Sequence, residues 1–275
     1  MEEFNLKDVS AFICTFNEEK NIAMCISSIR DAGVDQITVI DSGTDNTSQI
    51  AQKMGATVIK SEKGLAWQRQ IGIDNCTTKL HMIVDADDRL DRSCIKALIK
   101  DMQEYGYDSV QACLRVNNPQ SYCQKGMDAN WRYCVCIPGP TNMTGRPALY
   151  KTEVIKKVKT DMAFKKTKDE DTAMAIRMEK LGYKQGIGHG MAYREHPYSL
   201  KENIAIWKAY GRGDANIVKQ YPHKKKAIYK HDLFEYPIKR SWYLIKNGAG
   251  LYCGFTVGMG IVRYVYLLKN RKAVL

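Results

Sequence analysis

Met82-Ile83-Val84-Asp85-Ala86-Asp87-Asp88 runs an apolar strand directly into three carboxylates packed within four positions. Like charges this close raise one another's pKa unless a cation neutralises them, and a divalent metal held by oxygen ligands is the simplest such cation. Magnesium and manganese sites use one or two carboxylates and leave the other positions to water and substrate phosphates, so the stretch implies a phosphate-bearing substrate. The bland alternative is a solvated turn in which Asp87, Asp88 or Asp91 caps the helix that follows. The surrounding sequence decides between the two.

Outward from this stretch, the first hundred residues alternate short apolar runs with amphipathic stretches of helical length. Strands are expected over 9–16, 36–41, 56–59 and 79–85. Helices are expected over 18–32, 45–54, 65–75 and 91–104, with Gly33 and Gly55 at helix ends. This is the pattern of a mostly parallel sheet flanked by helices, in which ligands bind beyond the carboxyl ends of the strands. Asn17-Glu18, Asp41-Ser42-Gly43 and Asp85-Ala86-Asp87 each follow one of these strands, so three polar clusters should meet on one edge. Beyond residue 108 the alternation becomes irregular, and Ile137 to Pro147 reads as a loop feeding a strand over 148–151. Lys168-Asp169-Glu170-Asp171-Thr172 then opens a helix that stops at Gly182. The helix dipole accounts for one or two acids in a first turn but not for three in succession.

Composition narrows the class. The chain has 275 residues, enough for one large domain or one domain with an appendage. Its nine scattered cysteines contain no C-x-x-C pair and read as reduced, mostly buried thiols in a cytosolic compartment, in keeping with an acidic N-terminus that no apolar signal segment follows. The net charge of +12 implies an anionic partner, and the positive residues gather late, at Lys224-Lys225-Lys226, Lys239-Arg240 and Lys269-Asn270-Arg271-Lys272. No nucleic-acid-binding motif or aromatic platform accompanies them, so no nucleic-acid partner is expected.

From Ser199 a capping box, Ser199-Leu200-Lys201-Glu202, opens a helix expected to reach residue 221. Residues 248–262 carry no charge and hold five glycines among flanking aromatics; at fifteen residues the run is shorter than the roughly 20 needed to span a bilayer. It reads as an interfacial or re-entrant segment, against the alternative of a buried core helix.

Phe12-Ile13-Cys14-Thr15-Phe16-Asn17-Glu18, Val39-Ile40-Asp41-Ser42-Gly43-Thr44-Asp45 and Asp85-Ala86-Asp87-Asp88, taken in order, resemble the nucleotide-sugar-binding half of the family 2 inverting glycosyltransferases. Glu170-Asp171-Thr172 with Arg177 is similar to that family's E-D segment. Glu195-His196, Ser199-Leu200 and Tyr210-Gly211-Arg212-Gly213 resemble its exit from the catalytic domain. The resemblance implies a GT-A fold, an α/β architecture with a Rossmann-like, mostly parallel sheet, over residues 1–198. Residues 199–275 would form a C-terminal helical extension that associates with a membrane.

The roles it implies can be placed residue by residue. Thr15, Asn17, Glu18 and Asp41 would hold the nucleobase, with Arg69 a further donor contact. Asp85 would meet the ribose and the metal, and Asp87 the metal, a manganese or magnesium ion. His196 would lie by the diphosphate or metal, and His189, set among glycines, is a weaker candidate. Asp171 would be the general base, with Glu170 or Asp169 taking the role if the register shifts by one.

The chain lacks the Q-x-x-R-W of processive synthases and the D-A-D-x-Q-H-P-P type of dolichyl-phosphate synthases. The expected reaction is therefore transfer of a single sugar from a nucleotide-diphospho-sugar, UDP-sugar favoured, to a hydroxyl of a lipid-linked or membrane-presented glycan. The expected location is the cytoplasmic face of a membrane, peripheral or monotopic. The rivals are a polyprenyl-phosphate sugar synthase and a non-catalytic nucleotide-sugar-binding protein.

Overall fold

The computed structural model describes residues 3–164 and 169–271. Lys168 and Lys272, named in the motifs above, lie outside them. The chain divides into two compact units, one of Met1–Cys113 with Pro138–Arg194 and one of Leu114–Ile137 with Glu195–Leu275. Passage into the second unit at Glu195 lies close to the boundary expected after residue 198. The assignment of residues 114–137 to that unit is a long-range feature that no linear reading supplies.

The first unit begins with β1 (Val9–Thr15), α1 (Ile22–Asp31), β2 (Ile37–Asp41), α2 (Thr47–Lys53), β3 (Thr57–Lys60), α3 (Leu65–Asp74) and β4 (Leu80–Asp85). β1 and β4 are buried almost continuously, as expected of strands covered on both faces, and α1 turns Ile22, Cys25, Ile26 and Ile29 inward at helical spacing. Then follow β5 (Asp88–Leu90), α4 (Cys94–Tyr105), β6 (Ser109–Val116), whose last residues enter the second unit, and, within that unit, α5 (Tyr122–Asn130). The first unit resumes with β7 (Gly139–Thr141), β8 (Ala148–Lys151), α6 (Thr152–Val158), α7 (Glu170–Lys180) and β9 (Gln185–Arg194).

The strands form one sheet in the order β3-β2-β1-β4-β8-β6-β9-β5, with β7 on β9. The pairs β3-β2, β2-β1 and β1-β4 are parallel; β8 pairs antiparallel with β4 and β6, and β9 with β5 and β7. The sheet is therefore mixed rather than mostly parallel. The regular strand-helix alternation builds the parallel half, and the irregular region beyond residue 108 supplies the antiparallel half together with β5. Phe12, Ile40, Ile83, Ala148 and Tyr150 of the sheet pack with Ile73 of α3, Val154, Ile155 and Val158 of α6, and Met174 and Met178 of α7 in one core cluster.

The second unit is helical. A capping box of Ser121 and Gln124 opens α5, which continues into a π-helical turn at Trp131–Val135. The Ser199–Glu202 box opens α8 (Leu200–Gln220) as expected. Then come α9 (Lys225–Lys230), a π-helical run at His231–Lys239, α10 (Arg240–Lys246), a 3-10 turn at Gly250–Tyr252 and α11 (Cys253–Asn270).

Of the expected interfacial or re-entrant segment over 248–262, residues 253–262 open α11, a regular helix, after the 3-10 turn at Gly250–Tyr252. Gly211 of α8 lets the two helices touch, since a Cβ there would lie 2.1 Å from the Arg263 carbonyl oxygen. Asn130 Nδ2 donates to Thr256 Oγ1 at 2.7 Å. Packing partners thus outweigh the low helical propensity of the glycines. Gly250–Asn270 is also long and apolar enough, by length and composition alone, to cross a membrane. Among the described residues, none of the nine cysteines forms a disulfide.

Candidate active site

Parallel pairing brings the carboxyl ends of three strands level. Thr15 stands opposite Asp41, and Cys14 opposite Asp85. At the β1-β2 junction Asp41 is fully buried. Its Oδ1 accepts from Thr15 Oγ1 and Gly43 N, both at 2.9 Å, and its Oδ2 accepts from Ser48 Oγ at 2.6 Å and Lys60 Nζ at 2.8 Å. Burial works to raise its pKa, but these four donors win and hold the carboxyl below its ordinary value. Lys60 is the exposed member of the set, with 60 % of its side chain open to solvent. A donor entering this corner would compete with Lys60 for Oδ2.

Asn17 sits in the left-handed region with φ of 57°, and its Oδ1 accepts from Thr44 N at 2.9 Å. Gly43 makes that approach possible, because a Cβ on it would lie 2.6 Å from Asn17 N and 2.8 Å from Asn17 Oδ1. Glu18 accepts from Asn21 Nδ2 at 2.9 Å, and burial raises its pKa. Gln68 Nε2 braces the same corner by donating to Thr15 O at 2.9 Å and Ile40 O at 2.8 Å.

At the end of β4, carboxylate oxygens of Asp85, Asp87 and Asp88 lie within 4.8 Å of one another. Arg194, the last residue of β9, is brought among them by the β5-β9 ladder, which sets it opposite Asp88. It forks onto Asp88, with Nε to Oδ1 at 2.7 Å and a terminal nitrogen to Oδ2 at 2.8 Å. The same terminal nitrogen donates to Asp85 Oδ2 at 2.8 Å. Asp87 is farther away, 3.7 Å from Nε, and is the most exposed of the three at 40 %.

Burial pushes Asp88 up to about 7 against the pull of Arg194, with Asp85 and Asp87 adding to the rise. Burial also raises Asp87. For Asp85 the burial penalty is outweighed by Arg194, Arg69 and Arg146, which hold it below its ordinary value.

Arg69, on α3, is buried and joins two parts of the site. It donates to Asp85 Oδ1 at 3.1 Å and pairs with Glu170 on the first turn of α7. Glu170 is itself only 1 % exposed. Asp171, the next residue, is half-buried, and its Oδ1 accepts from Thr172 N at 2.7 Å. Asp169 is buried. Of the three consecutive acids, Asp171 is therefore the most exposed, while Glu170 is held by Arg69. Arg146, buried and paired with the Tyr150 hydroxyl, feels the charges of both Asp171 and Asp85.

His189 lies outside this constellation, bonded to Asp101 Oδ1 through Nδ1 at 2.8 Å. His196 belongs to the second unit, where its Nε2 is 2.7 Å from Asn203 Oδ1 and its ring meets Trp131 edge-on.

The sequence reading did not include Arg194, Arg146, Lys60, Ser48 or Gln68. Arg194 had one available signal: it directly precedes Glu195-His196.

Residues 10–181 match the profile of Glycosyl transferase family 2. An uncharacterized glycosyltransferase of Rickettsia felis is 37 % identical over 89 residues, covering 32 % of this chain and 31 % of that protein. A lipopolysaccharide core biosynthesis glycosyltransferase, LpsC, of Rhizobium meliloti is 32 % identical over 92 residues, 31 % of this chain and 33 % of that one. The chain thus spans about a third of the length of these curated relatives.

Among solved structures, S. aureus TarS 1-349 superposes over 97 % of this chain and 92 % of its own, with a TM-score of 0.54 and 15 % identity. GalNAc-T7 with UDP, GalNAc and Mn2+ superposes over 70 % of this chain and 44 % of its own, with a TM-score of 0.55 and 12 % identity. At these identities the likeness concerns the fold, which is GT-A. The profile match covers well over half of the chain and includes the Asp41, Asp85-Ala86-Asp87 and Glu170-Asp171 positions described above, so the chain belongs to glycosyl transferase family 2.

Proposed function

We propose that the chain is a metal-dependent inverting glycosyltransferase. It would move one sugar from a nucleotide-diphospho-sugar, UDP-sugar favoured, to a hydroxyl of a lipid-linked or membrane-presented glycan on the cytoplasmic face of a membrane. One observation carries the reading: Arg69 ties Asp85 to Glu170 and so holds Asp171 beside the β4 carboxylates. Family membership supports the reaction class, the UDP and Mn2+ of the GalNAc-T7 structure support the donor, and the LpsC relative supports a lipid-linked glycan as acceptor.

An all-oxygen donor set within 4.8 Å suits a hard divalent cation. Asp87, exposed and only loosely held, and Asp85 would bind manganese or magnesium, which when bound neutralises charge on the departing diphosphate. Asp88 is committed to Arg194 and sets the turn. Thr15, Asn17, Glu18 and Asp41 line the corner assigned to the nucleobase, where Asp41 offers an acceptor to a base N–H once Lys60 withdraws. Asp171 accepts the proton of the acceptor hydroxyl as the oxygen attacks the anomeric carbon from the face opposite the diphosphate.

A thermal-shift panel of UDP, GDP, dTDP and CMP, each with and without manganese, tests this. A ligand at 100 times its Kd adds about 2.7 kcal/mol of stability. UDP should stabilise the protein only with manganese present, and Asp87→Ala should abolish the shift. No shift with any nucleotide would overturn the reading.

A further inference from the structure

The run from His231 through α10 is inside-out. Its buried line, at four-residue spacing, is Asp232, Tyr236 and Leu244, with Arg240 half-buried in the same series. Its outward line is Phe234, Ile238 and Trp242, flanked by Leu233, Ile245 and Leu251, each more than half exposed. A helix on a soluble surface ordinarily shows the reverse pattern.

The inward polar groups are engaged within the same unit. Arg263 of α11 forks onto Asp214 of α8 at 2.6 and 2.8 Å, and its Nε lies 3.2 Å from Asp232 Oδ1. His231 Nδ1 is 2.8 Å from the same Asp232 oxygen, and the Arg240 guanidinium lies 4.1 Å from the centre of the Tyr236 ring. Turning the helix to hide its apolar line would break these buried charge contacts, which is costly, so the line is held outward.

We infer that this outward line is the surface by which the chain docks on an anionic membrane leaflet. Residues 219–251 carry eight lysines and arginines against two acids; Arg240 and Asp232 both face inward and Lys230 pairs with Glu235 at 3.0 Å, so the outward balance remains basic. Lys230 and Lys246 bracket the line, four residues before Phe234 and four after Trp242, and Lys246 Nζ lies 5.3 Å from the centre of the Trp242 ring. A tryptophan-bearing apolar line between lysines fits the headgroup boundary, where rings and aliphatic chains sink while ammonium groups meet lipid phosphates. Self-association through this face would set like charges against one another. The inference deepens the membrane-presented acceptor proposed above and transfers the contact from residues 248–262 to the preceding helix.

Full-length protein is sedimented with phosphatidylcholine vesicles, with or without phosphatidylglycerol, at low and high salt. Wild type should bind the anionic vesicles and be released by salt. Phe234→Ser/Trp242→Ser/Ile245→Ser should bind about tenfold more weakly or worse, and Lys239→Gln and Lys246→Gln should each cost roughly fivefold. These side chains are exposed, so the UDP-manganese thermal shift should be unchanged and serves as the folding control.

Failure of the wild type to sediment, a triple variant that binds like wild type, or a dimer in light scattering that the triple variant dissolves would each overturn the inference. An intact nucleotide shift without vesicle binding sinks this inference alone. Vesicle binding without any nucleotide shift sinks the proposed function alone.

Discussion

Replacing Arg194 with methionine keeps the length of the side chain and removes a cation that touches Asp85, Asp87 and Asp88 alike. Its fork onto Asp88 has two contacts, at 2.7 and 2.8 Å, with a carboxylate that has no exposed surface. Removing one partner of a buried pair costs about 3–5 kcal/mol because the other charge is left without compensation. That is a large part of a typical stability of about 5–15 kcal/mol. At roughly 2–4 °C per kcal/mol for a chain of this size, Arg194→Met should lower Tm by about 6–20 °C.

Two controls identify the cause. Asp88→Asn in the Arg194→Met background should restore part of the loss, with a coupling of about 2–3 kcal/mol in the double-mutant cycle. Manganese without nucleotide should raise the Tm of Arg194→Met more than that of wild type, because the cluster has lost its resident cation.

The pH dependence has a definite sign. Asp88 already titrates near 7 in the folded protein, above its ordinary 3.8, so without Arg194 its folded pKa rises further. The folded variant then binds the extra proton, and its deficit relative to wild type should be small near pH 5 and grow as pH rises through and above 7. Thermal unfolding of the four proteins across that range, with and without manganese, provides the assay. Above pH 7, a Tm loss below about 3 °C, or an Asp88→Asn change that deepens the loss, would refute the reasoning.

Gly43→Ala should lower stability by about 1–3 kcal/mol and weaken nucleotide binding, since its Cβ must displace the Asn17 backbone; urea midpoints and the UDP shift report both. Asp171→Asn should reduce kcat by roughly 10² to 10⁴ while the UDP-manganese shift stays intact. Glu170→Gln should instead lower Tm, because Arg69 loses a buried partner; retained turnover in Asp171→Asn would favour a phosphate acceptor that needs no base. For Asp41, folded pKa lies below the ordinary 3.8, so its contribution is present above that value and is lost as pH falls through the folded pKa. The stability gap between wild type and Asp41→Asn should therefore be widest at neutral pH and close on acidification.

Local pattern alone located the site's edge. Burial on both faces marks β1 and β4 as apolar runs, glycines end the helices, and a parallel sheet places strand ends together, so the end of β1, Asp41 and Asp85 were legible as neighbours from spacing. Ser199–Glu202 named its own helix because a capping box is satisfied within four residues.

What remained hidden depends on contacts distant in sequence. Arg194 meets Asp88 across 106 positions through an antiparallel pairing that strand composition does not announce. Which of Glu170 and Asp171 is buried has no local signal, since both are acids in a first helical turn; Arg69, about a hundred residues earlier, pairs with Glu170, which is buried, while Asp171 stays half-exposed. The inside-out helix is equally unreadable in one dimension, because Asp232 becomes an inward residue only once Arg263, itself paired with Asp214, arrives from another helix to receive it. Sequence determined which residues could hold charge and where the strands would deliver them. The tertiary structure decided which charges are paired, because burial and counterions are properties of neighbours in space.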